Sequence, residues 1–92
     1  MNKIAIIGGG NLGTAIAEGL ISNGFVSPAD VMITKRNLQT LQTLAAKGIQ
    51  ISNDNNEAAN FADVIIVAVK PFQVQEVLLG IKASLQQGRH IL

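Results

Sequence analysis

The sequence predicts an α/β protein with a doubly wound parallel sheet, and three observations support this fold class. Short runs rich in Ile, Val and Ala alternate with segments whose apolar residues recur at helical spacing. A glycine-rich turn, GGGNLG, directly follows the first apolar run. Residues 64–69, VIIVAV, have no polar face, which is typical of a strand that helices cover on both sides.

Apolar runs and helical spacing place the individual elements. Strands are predicted at residues 3–7, 31–34, 49–51, 64–69 and 90–92. Helices are predicted between them, with periodic positions in residues 12–20, 38–45, 57–61 and 71–85. Asn11 and Asn37 are expected to cap the first two helices, because an asparagine side chain can accept from a free backbone N–H. Gly24 and Gly48 are expected to end these helices.

The order of the elements predicts a Rossmann-like sheet with strand order 3-2-1-4-5. Ligands of such sheets bind outside the carboxyl ends of the strands, where the strand order reverses. Residues 8–13 and 68–71 border that point in this chain. Residues 90–92 supply only the beginning of a strand, which usually has about five or six residues. We therefore expect residues 1–92 to be an incomplete domain that is truncated in its fifth strand.

Composition excludes several classes of function. A net charge of +1 gives no electrostatic basis for binding nucleic acid or an anionic membrane. The chain has no cysteine, so it has neither disulfides nor thiolate metal ligands. No run approaches the roughly 20 apolar residues of a membrane span. We expect a cytoplasmic protein with no nucleic-acid, membrane or metal partner.

The hydrophobic content is high for a chain of this size. Hydrophobic residues make up 48% of the sequence, and charged residues make up only 14%. A typical soluble domain has about 25% charged residues. We therefore expect part of the apolar surface to face a partner or a further part of the chain.

The glycine turn matches the pattern G-x-G-x-x-G at Gly8, Gly10 and Gly13. Between a strand and a helix, this pattern predicts dinucleotide binding, whereas the bare pattern is also compatible with a purely structural turn. Gly8 permits the tight turn, Gly10 lets the backbone approach a pyrophosphate, and Gly13 lets the helix lie close to the strand. No Lys-Ser or Lys-Thr pair follows, so the turn is not a P-loop.

The end of the second strand indicates which dinucleotide is preferred. An NAD site would place Asp or Glu there to hold the ribose 2′-hydroxyl. This chain has Thr34, Lys35 and Arg36 instead, and the only nearby acid, Asp30, lies at the opposite end of the strand. Cationic side chains attract a 2′-phosphate, so the sequence favours NADP(H) over NAD(H). The alternative is a pair of solvated charges on a loop.

Three segments carry a resemblance to a known family. IGGGNLGTAIAEGL, DNNEA at residues 54–58 and ADVIIVAVKP at residues 62–71 together resemble pyrroline-5-carboxylate reductase, and the resemblance extends over all 92 residues. AVKP is its most specific element, because many dehydrogenases share the glycine pattern. The resemblance implies an NAD(P)H-dependent enzyme that makes proline by reducing a cyclic imine, pyrroline-5-carboxylate.

The resemblance also implies the positions of the cofactor site. The turn would hold the pyrophosphate with Ile7, Gly8, Gly9, Gly10, Asn11, Leu12 and Gly13. Lys35 and Arg36 would face the 2′-phosphate, and Asn55, in a loop after the third strand, would contact the nucleotide. The nicotinamide side would be lined by Ala68, Val69, Lys70 and Pro71. Without the resemblance, Asn55 is equally compatible with a turn residue, Lys70 with a solvated side chain and Pro71 with a helix start.

The chain departs from the family in its length. The family's enzymes continue into a helical domain that dimerises and builds the substrate pocket with a hydroxyl-bearing catalytic residue, and nothing here corresponds to it. We therefore expect this chain to hold the cofactor and to contribute no catalytic residue, and the whole enzyme to be a homo-oligomer. Alternatives remain another NADP-linked enzyme, of the β-hydroxyacid dehydrogenase or F420-dependent NADP reductase type, and a non-enzymatic NADP-sensing module.

Overall fold

A computed structural model describes residues 3–82 and 90–91, and these residues contain a single five-stranded parallel sheet. The strands are β1 (Ile4–Ile7), β2 (Val31–Thr34), β3 (Gln50–Ser52), β4 (Val64–Val67) and β5 (His90–Ile91). Their order is β3-β2-β1-β4-β5, and each neighbouring pair is parallel. The predicted fold class and strand order are confirmed, and β1 lies at the centre of the sheet.

Helices connect the strands in the order that the apolar pattern predicts. They are α1 (Asn11–Ser22), α2 (Gln42–Ala46), α3 (Asn55–Phe61) and α4 (Pro71–Ile81). The second predicted helix differs from the expectation, because it begins as a 3-10 turn over Leu38–Leu41. The third begins two residues earlier than predicted, since the Asp54 carboxylate accepts from the backbone N–H of Asn56 at 2.9 Å and caps it.

The predicted helix ends are mostly confirmed. The side chain of Asn37 accepts from the backbone N–H of Gln39 at 3.0 Å. Gly24 and Gly48 end their helices with positive φ angles of +66° and +95°. The predicted cap at Asn11 is wrong: Gly10 is the extended residue before α1, and Asn11 is the first helical residue.

Strand β4 is shorter and less covered than the sequence predicts. It ends at Val67 rather than at residue 69, and among its residues only Ile65 is fully buried. Strands β1 and β2 are buried along their whole length. Helix α3 packs mainly on β1, β2 and β3. The predicted helix position Leu85 and the predicted strand residue Leu92 lie outside the described residues.

Two apolar clusters cover the two faces of the sheet. Ile4 and Ile6 of β1 point into one cluster, together with Ala17 of α1 and residues of the second helix. Ala5 and Ile7 point into the other cluster, which includes residues of α3 and α4. Alternate residues of one strand therefore enter opposite clusters, as expected for a doubly wound sheet.

Some of the apolar content lies on the surface. Among the described residues, four large hydrophobic side chains are more than 60% exposed: Leu12, Phe25, Phe72 and Leu79. The apolar excess predicted to face outward is therefore partly visible on α1, α4 and the loop after α1. Within residues 3–82, none of the helices has the length and apolar character that crossing a bilayer requires.

Two glycines of α1 should respond oppositely to alanine. A Cβ on Gly13 would lie 1.9 Å from the carbonyl oxygen of Gly8, so Gly13→Ala should lower the free energy of unfolding by about 1–3 kcal/mol. A Cβ on Gly19 meets nothing within 4 Å, so Gly19→Ala should raise it by about 0.5–1 kcal/mol. Urea denaturation followed by circular dichroism measures both, and equal effects would contradict the assigned contact.

Candidate functional site

A cleft of about 830 Å³ opens at the carboxyl edge of the sheet. It lies where β1 pairs with β2 on one side and with β4 on the other. Its walls are the glycine turn after β1, the ends of β2 and β4, the start of α3 and one face of α4. This is the position that the strand order predicts for a ligand.

Most of the residues that the sequence assigns to a cofactor site line this cleft: Ile7, Gly8, Gly9, Gly10, Lys35, Arg36, Asn55, Ala68, Val69 and Lys70. The remaining assigned residues are not part of its lining. Asn11 and Leu12 are exposed on the first turn of α1, Gly13 is buried behind the turn, and Pro71 is the exposed first residue of α4.

The glycine turn is shaped by close backbone contacts. Gly8 has a φ of +110°, and a Cβ there would lie 2.7 Å from the carbonyl oxygen of Ala68. Gly13 approaches the Gly8 carbonyl so closely that it leaves no room for a side chain. A Cβ on Gly10, by contrast, would meet no atom within 4 Å. The turn therefore has open space at Gly10, beside the N–H groups of the first turn of α1, which have no partner within the helix.

The charges at the end of β2 are positive. Lys35 is half-buried and Arg36 is exposed, and both line the cleft. Among the described residues, the one ion pair joins Lys47 to Glu18, so neither of these two cations is neutralised by a carboxylate. Asp30 precedes β2, at the opposite edge of the sheet. The described acids that line the cleft are Asp54, which caps α3, and Glu76 on α4.

The sequence analysis misplaced Asn55 and missed Thr34. Asn55 is the first residue of α3 rather than a loop residue, because Asp54 caps the helix just before it. Thr34 ends β2 and lines the cleft. Its hydroxyl donates to Asn55 Oδ1 at 2.6 Å and accepts from the Gly8 N–H at 3.4 Å. The signal for Thr34 was present, since it is a polar residue that ends an otherwise apolar strand.

Other lining residues also escaped the sequence analysis. They are Asn37, Asn53, Asp54, Asn56, Gln73, Glu76, Val77, Gly80 and Ile81. Those of α4 follow from the packing of that helix beside α3, which periodicity alone does not reveal. In the described part of the chain, no three His, Cys, Asp or Glu residues are grouped so that they could hold a metal ion.

The sheet order and the glycine turn define a Rossmann-like α/β domain with its cleft at the strand switch point. The chain belongs to the family described as NADP oxidoreductase, coenzyme F420-dependent, whose model matches residues 3–92.

Curated relatives carry a more specific name. The chain is 42% identical over 81 residues to pyrroline-5-carboxylate reductase 2 of Dictyostelium discoideum, covering 87% of this chain and 27% of that protein. It is 40% identical over 89 residues to pyrroline-5-carboxylate reductase of Corynebacterium melassecola, covering 96% and 33%. The predicted resemblance to this group of reductases is confirmed. The chain spans only about a sixth to a third of the length of the curated relatives that it matches.

Solved structures with similar names superpose on nearly the whole chain. A pyrroline-5-carboxylate reductase from Coxiella burnetii superposes with a TM-score of 0.85 at 37% identity, over 94% of this chain and 32% of that one. Plasmodium falciparum pyrroline carboxylate reductase, solved with NADP bound, has a TM-score of 0.82 at 23% identity, covering 98% and 32%. At that identity, the second likeness shows a shared fold.

Substitution of Gly10 should separate binding from folding. Gly10→Val fills open space, so we expect it to change stability by no more than about 1 kcal/mol. Its methyl groups would occupy the place predicted for a pyrophosphate, so NADPH affinity should fall at least about tenfold. Gly19→Val is the matched control, because Gly19 also faces open space but does not line the cleft. Calorimetric titration with NADPH measures the affinity of each variant. If the Gly10→Val chain is folded and binds NADPH normally, the phosphate site lies elsewhere.

Proposed function

We propose that this chain is the NADP(H)-binding part of a pyrroline-5-carboxylate reductase, which reduces 1-pyrroline-5-carboxylate to L-proline by hydride transfer in proline biosynthesis. The observation that carries the proposal is the glycine turn with open space at Gly10, facing a cleft at the strand switch point. The names of the curated relatives favour this reductase over other enzymes with the same fold.

The residues of the turn fit the pyrophosphate of a dinucleotide. The absent side chain of Gly10 leaves space for phosphate oxygens, and the N–H groups that begin α1 can donate to them. The positive end of the α1 dipole favours the same negative charge. When bound, the nicotinamide ring supplies the hydride, and the protein's contribution here is to bind and orient the cofactor.

Lys35 and Arg36 favour a cofactor that carries a 2′-phosphate. Both side chains line the cleft at the end of β2, and no carboxylate neutralises them among the described residues. An arginine can bind a phosphate with two parallel hydrogen bonds, whereas an NAD site would use a carboxylate here. We therefore propose NADP(H) as the preferred cofactor and NAD(H) as a weaker alternative.

The nicotinamide side of the site is assigned to the end of β4. Ala68, Val69 and Lys70 line the cleft on the far side of the glycine turn from Lys35. Ala68 donates its backbone N–H to Ile7 at 2.8 Å, which holds this segment against the turn. Pro71 is the first residue of α4, so the segment between β4 and the helix ends at Lys70. We assign no catalytic residue to this chain, and we place the imine site in the remaining length of the whole enzyme.

A second candidate is an F420-dependent NADP oxidoreductase, because the matching family model carries that description. The two candidates differ in the partner of the nicotinamide, which is an imine in one case and a deazaflavin in the other. Assays of the whole enzyme with NADPH and pyrroline-5-carboxylate, and with NADP⁺ and reduced F420, distinguish them. Homo-oligomerisation and a cytoplasmic location remain predictions from the sequence and its resemblance.

Arg36→Ala tests the cofactor preference. Loss of a charge-assisted contact of about 1.5–3 kcal/mol should weaken NADPH binding roughly ten- to hundredfold and leave NADH binding nearly unchanged. Lys82→Ala removes the same charge at the end of α4, outside the cleft, and should change neither affinity. Titration of each chain with both cofactors gives the ratio of its dissociation constants for NADPH and NADH. Equal losses for NADPH and NADH would rule out the 2′-phosphate assignment.

The isolated 92-residue chain tests where the imine site lies. We expect it to bind NADPH weakly, to self-associate through exposed apolar surface, and to reduce no pyrroline-5-carboxylate. Its mass in solution and its rate of NADPH oxidation with the imine are the two measurements. A monomer that turns over substrate would overturn the assignment of the imine site to the rest of the enzyme.

A further inference from the structure

Thr34 is a buried polar residue at the centre of the candidate site. It ends β2, its exposure is 2%, and Ser52 is the only other buried polar residue among those described. Burying a hydroxyl costs free energy unless it is hydrogen-bonded. At this strand position, a valine would fill a similar volume and avoid that cost. The hydrogen bonds of Thr34 therefore indicate what its hydroxyl contributes.

The Thr34 hydroxyl joins the glycine turn to α3. The Gly8 N–H lies 3.4 Å from Thr34 Oγ1 and 3.3 Å from the Thr34 carbonyl oxygen, so it approaches both acceptors. The hydroxyl proton is directed to Asn55 Oδ1 at 2.6 Å. Donation thus runs in one direction, from Gly8 through Thr34 to Asn55.

This direction fixes the orientation of the Asn55 amide. Because Oδ1 accepts from Thr34, the amide nitrogen Nδ2 is on the other side of the amide group. Asn55 also lines the cleft. The hydrogen bonds of the described residues do not engage Nδ2. An amide carries two donors on its nitrogen and none on its oxygen. The side chain therefore offers the cleft a donor rather than an acceptor.

We infer that Thr34 is a positioning residue, which orients the Asn55 amide so that its NH₂ donates to an acceptor oxygen of the bound dinucleotide. This inference rests on the proposed function, because the ligand is the NADP(H) assigned above. Such oxygens occur both in the part common to NADPH and NADH and in the 2′-phosphate of NADPH. A rotated amide would instead present its own oxygen to these groups, and two acceptors repel.

The first test replaces the hydroxyl while keeping the volume. Thr34→Val should weaken NADPH binding roughly three- to tenfold, because the amide is then free to rotate. Thr34→Ser retains the hydroxyl and should restore binding to within about twofold of the unsubstituted chain. Thermal denaturation of each chain shows whether it is folded at the titration temperature. The chain contains no Trp or Tyr, so the fluorescence of NADPH can be followed without their emission.

A double-mutant cycle tests whether Thr34 acts through Asn55. If it does, Thr34→Val combined with Asn55→Ala should bind NADPH about as weakly as Asn55→Ala alone. If Thr34 had a merely structural role, the double variant would lose NADPH affinity by the product of the fold losses of the two single variants. Repeating the cycle with NADH identifies the acceptor: coupling with both cofactors places it in their common part, and coupling with NADPH alone places it on the 2′-phosphate.

A measurement without ligand completes the test. The side-chain amide signals of Asn55 in an NMR spectrum of the free chain should shift in Thr34→Val and remain near their original position in Thr34→Ser. Unchanged signals in Thr34→Val, unchanged NADPH affinity in that variant, or multiplying losses in the cycle would each overturn the inference. Failure of the unsubstituted chain to bind either cofactor would instead overturn the proposed function.

Discussion

The close approach of Gly13 to the carbonyl oxygen of Gly8 is the constraint on which the site depends. Any side chain at residue 13 would begin 1.9 Å from that oxygen, so only glycine lets α1 start immediately beyond β1. This proximity aims the free N–H groups of the helix at the carboxyl edge of the sheet. The turn is held from the other side by Ala68, whose carbonyl oxygen lies beside Gly8. The first helix, the central strand and the β4 end are thereby fixed relative to one another.

Parallel pairing explains why residues far apart in the sequence meet in one cleft. Ile7 pairs with Thr34 on one side and with Val67 on the other, so three strands end at the same level. The residues that follow these ends belong to the turn, to the basic segment and to the segment before α4. These segments contain glycines, cations and Ala68, whereas the strands before them are mostly apolar. A site of mixed chemistry is therefore built on a rigid apolar sheet.

The fold was largely predictable because it depends on short-range patterns. Strand β2 was predicted with its observed bounds, since three apolar residues and Thr34 lie between clear breaks. The helix starts were less predictable, because both Gly10 and Asn11 are common at caps and only the extended backbone of Gly10 decides between them. The Thr34–Asn55 contact was beyond prediction, because it joins residues 21 apart across two elements. Sequence patterns locate strand ends, whereas the partners of a side chain depend on tertiary packing.

The central position of β1 also determines when the sheet can form. Residues 4–7 are synthesised before both of their partner strands, and the second partner, β4, follows 60 residues later. At about 5–20 residues per second, a ribosome needs roughly three to twelve seconds to make that interval. During this time, one edge of the apolar β1 has no neighbour from its own chain, and unpaired strand edges promote aggregation. The arrangement that concentrates the site around one strand thus makes folding non-local and slow, and it exposes the nascent chain to misassociation.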